Sequence, residues 1–166
     1  MVSGGHVGRA YRGAGRAPTA RGTDRAARPV PSPGMASRPA GTGYVTVPDS
    51  GEGPGVLVLH SWWGLTPFFR GVCDRLADAG FVALAPDLFA GRTADTPEDG
   101  EALLAESDMD AMAHLVRSSL FRLHGMPATP DAPVGTVGVS MGAAWPRWLA
   151  RRIPDLVGAT VALYGT

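Results

Sequence analysis

Lysine is absent from this sequence, so all 15 of its positive charges are arginine, set against 15 acidic residues. A G+C-rich genome would produce that pattern, and it points to no function. Cysteine is nearly absent too: Cys73 alone excludes an intrachain disulfide and fits a reducing compartment. No run of about 18 consecutive apolar residues occurs, so no membrane-spanning helix is expected. The first residues also lack the apolar core of a secretory signal, and the expected location is cytoplasmic. Four histidines and that one cysteine are scattered without a pair at metal-ligand spacing, so no metal is expected. No glycine-rich loop follows the first apolar strand. Ser61-Trp-Trp-Gly64 is bulky where a phosphate needs bare N–H groups, which argues against a nucleotide cofactor.

The formal net charge of zero hides an asymmetry. Residues 1–40 hold seven arginines and one aspartate, whereas residues 41–166 hold eight arginines and 14 acidic residues. The second part would repel nucleic acid and anionic membrane surfaces, so neither is an expected partner. Residues 1–40 are dense in Gly, Ala, Arg and Pro with almost no apolar periodicity, and are expected to be a disordered leader. An over-extended gene start (with Met35 as the alternative), a flexible tail, and a transit or nucleic-acid-binding arm all remain open for it.

Order is expected from about residue 41. Tyr44–Val47 alternates and is β-prone, an edge strand ended by Pro48. Val56–His60 is a continuous apolar run, suited to a central parallel strand covered on both faces. Pro67–Ala79 reads as a helix with Thr66 as its cap, Gly80 closing it, and Phe68, Val72, Leu76 and Ala79 as its apolar stripe. Phe81–Ala85 is the next strand, and residues 86–97 form a long connection in which Asp87 orders the loop. Glu98–Leu123 reads as one long helix. Val134–Val139, Met141–Arg152 and Val157–Leu163 follow as strand, helix and strand. The alternation predicts an α/β fold, a three-layer α/β/α arrangement around a mostly parallel sheet. A ligand would sit at the carboxyl ends of the parallel strands, where His60, Pro86 and Ser140 fall.

Gly138-Val-Ser-Met-Gly142 has the form G-x-S-x-G, with a strand before it and a helix after it. Both glycines answer to crowding, because a nucleophile on a tight strand-to-helix turn leaves no room for side chains two positions away. Ser140 is therefore the candidate nucleophile; the competing reading is a serine that merely caps a helix. An oxyanion hole needs two backbone N–H groups aimed at one point, and the candidates are Met141, after the serine, and Trp62, in the loop after the first apolar strand. Trp62 and Trp63 are candidates for the wall of an apolar pocket, with plain core packing as the alternative. His60 and Ser61 are the remaining candidates for direct contact with the site.

VLVLHSWWGLTPFFRGVCDRLADAGFVALAPDLFAG, then GVSMGAA and ATVALYG, resembles the dienelactone hydrolase family of α/β-hydrolases from about Gly43 to the last residue. The resemblance implies a carboxylic ester or lactone hydrolase acting on a small molecule, without cofactor. In that family the position of Ser140 is usually a cysteine and that of Ser61 often a carboxylate. This chain departs at both, which looks more like a general esterase. The resemblance also implies an aspartate and then a histidine on later loops. Neither is found here, so the chain reads as the amino-terminal portion of a C-terminally truncated hydrolase domain, with little or no turnover alone. A serine hydroxyl at neutral pH is a poor nucleophile without a base, and His60 is the only histidine near a strand carboxyl end. A non-catalytic remnant, and an assembly module completed by a partner or by self-association through the open sheet edge, are the alternative functions.

Overall fold

A computed structural model describes residues 43–165; the leader predicted for residues 1–40 lies outside them. Five strands form one sheet: β1 (Tyr44–Thr46), β2 (Gly55–Leu59), β3 (Val82–Ala85), β4 (Val134–Val139) and β5 (Val157–Leu163). Their order across the sheet is β1-β3-β2-β4-β5. Only β1 runs antiparallel, Tyr44 facing Ala85 and Thr46 facing Ala83. The other three pairings are parallel.

β2 is buried along its whole length, as its unbroken apolar run demands. Successive side chains on a strand point to opposite faces, and the two faces enter separate cores. Leu57 and Leu59 join Leu84 and Val134 under the helices α3 (Met109–His124) and α4 (Ala144–Arg152), through Val116, Leu120, Leu123 and Leu149. Val56 and Val58 join Ala83 and Ala85 under α1 (Pro67–Asp78), through Phe69 and Cys73. The expected three-layer α/β/α arrangement is what the chain adopts.

Direction of travel explains which face each helix takes. From β2 the chain steps outward to β3 through α1, then doubles back across β2 to β4 and continues to β5. Right-handed crossovers taken in opposite directions put their helices on opposite faces. β2 and β4 are thus neighbouring parallel strands whose exits diverge, and a crevice opens beyond their carboxyl ends. Ser61 and Ser140 both lie there.

Three local expectations are corrected. The stripe of α1 is corrected at its ends: Val72 and Leu76 pack on the core as expected, but Phe69 (3% exposed) and the fully buried Cys73 lead it, while Phe68 is 64% exposed and Ala79 is exposed too. Thr66 occupies the cap position of α1 but makes no side-chain cap bond. The predicted helix over Glu98–Leu123 is two helices, α2 (Pro97–Ala105) and α3. Thr96 and Asp99 close a reciprocal capping box on α2. The Asp108 carboxylate accepts from the Asp110 and Ala111 amides at 2.9 and 3.1 Å to start α3. Apolar spacing runs on through the break, so periodicity does not reveal it. Pro146 is accommodated in the first turn of α4, where a backbone N–H has no helical acceptor to lose.

Candidate active site

The elbow after β4 is built by exclusion. Ser140 has φ +53°, a left-handed backbone that a residue with a side chain rarely adopts. A 3₁₀ turn, Ser140–Ala143, then leads directly into α4. A Cβ on Gly138 would stand 2.2 Å from the Gly142 carbonyl oxygen. One on Gly142 would stand 2.3 Å from the Leu59 carbonyl oxygen and 2.4 Å from that of His60. The two glycines therefore let the turn fold on itself and press against the end of β2. Ser140 is left exposed at the tip.

The neighbouring loop after β2 holds the other side of the crevice. Gly64 donates to the Ser61 carbonyl at 3.1 Å. The Ser61 hydroxyl, nearly buried, lies 3.5 Å from the Trp63 amide. Ser61 and Ser140 line one cavity of about 480 Å³, with Trp63, Phe68, Phe69 and Tyr164 among its walls. Tyr164 shares the left-handed backbone of Ser140, at φ +54°. Trp62 turns the other way: its indole lies over α2, where a Cβ on Gly100 would be 3.2 Å from the ring. Of the two tryptophans, then, Trp63 walls the cavity and Trp62 packs on a helix. Met141 follows Ser140 in the turn, and its side chain lines a separate groove with Met112 and Trp145 between α3 and α4.

His60 is fully buried beside this loop, and both ring nitrogens are occupied. Nε2 accepts from the Leu88 amide at 3.0 Å, and Nδ1 lies 2.7 Å from the Ser61 carbonyl, to which it donates in the neutral tautomer. The ring sits between Phe69 and Phe89, with centroids 6.1 and 5.4 Å away. Burial pushes its pKa below the usual value, over the opposing pull of the Ser61 carbonyl and the Asp87 charge. It ties the end of β2 to the loop after β3. Asp87 orders that loop, accepting from the Phe89 and Gly91 amides at 3.2 and 2.8 Å.

The other described histidines stand elsewhere. His114 is exposed on α3. His124 meets Asp131 at 3.5 Å, just before the amino end of β4, about 20 Å of strand away from Ser140. No imidazole with a free nitrogen is brought to Ser140 among the described residues. Among them there is also no cluster of potential metal ligands and no helix long and apolar enough to cross a membrane. Cys73 is buried in the core under α1, its thiol pushed up to about 12 by burial, and stays protonated.

With the elbow and the strand-end crevice in place, the family model of the dienelactone hydrolase family matches residues 42–166. The chain belongs to the dienelactone hydrolase family. It is 39% identical over 129 residues to Protein usf of Aquifex pyrophilus, covering 74% of this chain and 55% of that protein. It is 27% identical over 131 residues to Carboxymethylenebutenolidase 1 of Cupriavidus pinatubonensis, again covering 74% of this chain and 55% of that protein. The solved structure m3DLH superposes with a TM-score of 0.58 at 31% identity, covering 69% of this chain and 48% of that one. The chain thus spans about half the length of the relatives it matches.

Of the lining residues, only Ser61, Trp63 and Ser140 were anticipated, and two of the others come from distant segments. Asp95 and Tyr164 reach the cavity from the connection after β3 and from the end of β5. Nothing local in the sequence marks either one.

Proposed function

We propose that the chain carries the nucleophile side of a serine-dependent carboxylic ester or lactone hydrolase site. Ser140 Oγ is the attacking atom, and the Trp62 and Met141 amides are the oxyanion donors. One observation carries the reading: a left-handed serine held between two glycines that no side chain could replace, opening into the same cavity as Ser61. Left-handed backbone also occurs at Ala90 and Tyr164, so it is the strain together with the two glycines and the cavity that supports the nucleophile reading. In the reaction, Oγ bonds to the carbonyl carbon, the leaving alkoxide departs, and water later releases the acid. The proton on Oγ needs a base. Both His60 nitrogens are engaged and no other described histidine lies at the cavity, which supports the second half of the proposal: the base is supplied from outside this chain.

Two variants test this. The chain and Ser140→Ala are expected to turn over p-nitrophenyl acetate at equal rates, with circular dichroism confirming that both are folded. A Ser140-dependent rate would place a base within the chain and overturn the second half of the proposal. Ser140→Cys needs less help, because a thiol ionises far more readily than an alcohol, and more so at the start of a helical turn. It is expected to release about one nitrophenolate per chain in a burst. The thiolate sulfur bonds to the acyl carbon as the carbon–oxygen bond breaks and nitrophenolate leaves with the electron pair. The acyl group should map to residue 140 by mass spectrometry and leave Cys73 unmodified. A folded Ser140→Cys with no burst would overturn the nucleophile assignment.

A second reading, that the chain is completed along β5 by a partner or another copy, rests on the exposure of that strand. Val161 and Leu163 are 46% and 43% exposed, and β5 carries no charged residue to deter pairing. Light scattering on the same samples decides it. A stable dimer or heteromer supports it, and a clean monomer removes it.

A further inference from the structure

We infer that Asp95 sets the charge selectivity of the Ser140 cavity, which accepts neutral and cationic esters and turns away those bearing a carboxylate. The inference rests on the hydrolase reading of that cavity and adds the substrate class. Asp95 is the only charged side chain among the described residues that line it. The rest of the lining is apolar or neutral: Trp63, Phe68 and Phe69 form the walls, and Ser61 and Thr66 supply hydroxyls. Among the described residues that line the cavity, no cation offsets the aspartate. Of the arginines on the flanking segments, Arg70 stacks on Tyr44 with its guanidinium 5.4 Å from the ring centre. Arg92 is held by Glu106 at 2.6 Å. His60, behind the wall, uses Nε2 as an acceptor and is neutral.

The consequence is electrostatic. A carboxylate brought into this cavity meets a like charge, and no guanidinium or ammonium lies on the lining to pair with it. The oxyanion that forms during acylation adds a second negative charge in the same space. Asp95 is exposed, so water and salt weaken its field. Across several ångströms in a partly solvated cavity, one like charge lowers the rate by about fivefold, one opposite charge raises it by a similar factor, and both effects shrink with salt.

The test uses the whole chain carrying Ser140→Cys and two alkylating agents that differ in charge alone, iodoacetamide and iodoacetate. In each, the thiolate sulfur bonds to the methylene carbon as iodide leaves. Rates are normalised to those of 2-mercaptoethanol, which removes intrinsic reactivity. Iodoacetate is expected to react about fivefold more slowly than iodoacetamide at low ionic strength. At high salt the ratio should move towards one. In Asp95→Asn it should fall to within about twofold of one at any salt. The burst of nitrophenolate should repeat the order: p-nitrophenyl pentanoate fast, mono-p-nitrophenyl succinate slow, and a trimethylammonium analogue at least as fast as the pentanoate. Equal alkylation by the two reagents, or a preference that Asp95→Asn leaves unchanged, would overturn the inference. Loss of the ester burst with the alkylation ratio intact would instead count against the hydrolase reading.

Discussion

Gly142→Ala is expected to cost about 3 kcal/mol or more and to lower the melting temperature by roughly 10 °C or more. The new methyl group would lie 2.3 and 2.4 Å from the carbonyl oxygens of Leu59 and His60 and 2.8 Å from the Leu59 carbonyl carbon. All three are backbone atoms at the buried end of β2, which is hydrogen-bonded on both sides within the sheet. They cannot swing aside as a side chain could. Relief requires either the elbow or the strand end to move, and both carry the candidate site. Gly71→Ala in α1 is the matched control. Its methyl group would meet nothing nearer than the mobile end of Arg75, at 3.7 Å. Replacing a mid-helix glycine there should stabilise the fold by about 0.5–1 kcal/mol. Thermal melts of the two variants beside the parent chain decide the matter, and a Gly142→Ala melt within 2 °C of the parent would refute the crowding argument.

His60→Ala is expected to cost about 3–4 kcal/mol, although it removes no charge. The substitution leaves the buried Leu88 amide without its acceptor, a penalty of about 1–3 kcal/mol. It also opens a space between Phe69 and Phe89 that those rings fill only in part. The imidazole makes a second prediction, in pH. Burial lowers its folded pKa below the unfolded value of about 6.5, and protonation would take away the lone pair that receives the Leu88 amide. Below pH 6.5 the unfolded chain therefore binds a proton that the folded chain refuses. Stability should fall with decreasing pH from about 6.5, with a slope approaching about 1.4 kcal/mol per pH unit, until the folded pKa is reached. Above pH 6.5 this residue should contribute no slope. Urea unfolding between pH 5 and 8 should show the decline in the parent chain and a flatter profile in His60→Ala. Identical profiles would mean that His60 ionises as readily folded as unfolded.

These expectations trace a division between what adjacent residues dictate and what only distant segments decide. The sequence by itself determined the strands and the elbow. Val56–Leu59 can only be a doubly covered strand, since each neighbour must bury its side chain on the opposite face. Gly138 and Gly142 lie within one turn of chain, so the crowding at Gly138 is legible from spacing, whereas the press of Gly142 on the carbonyls of Leu59 and His60 is tertiary. The phase of α1 was not legible, because Phe68 and Phe69 stand side by side and both fit a helical period. Phe69 is the one that goes inward, packed with Val56, Val58, Ala83 and Ala85 of the sheet. The break before α3 was hidden in the same way, by apolar spacing that continues through Asp108. His60 shows the limit for the site. Its place at a strand end is plain in the sequence, but its two hydrogen bonds, one to a residue 28 positions away, fix it as a structural group. The cavity, too, belongs to the tertiary structure. Its walls come from the loop after β2, the start of α1, the connection after β3, the elbow and the end of β5. Side chains that far apart in the chain share one space only after the sheet has aligned the segments that carry them, so no local pattern could place Asp95 in the cavity that Ser140 lines.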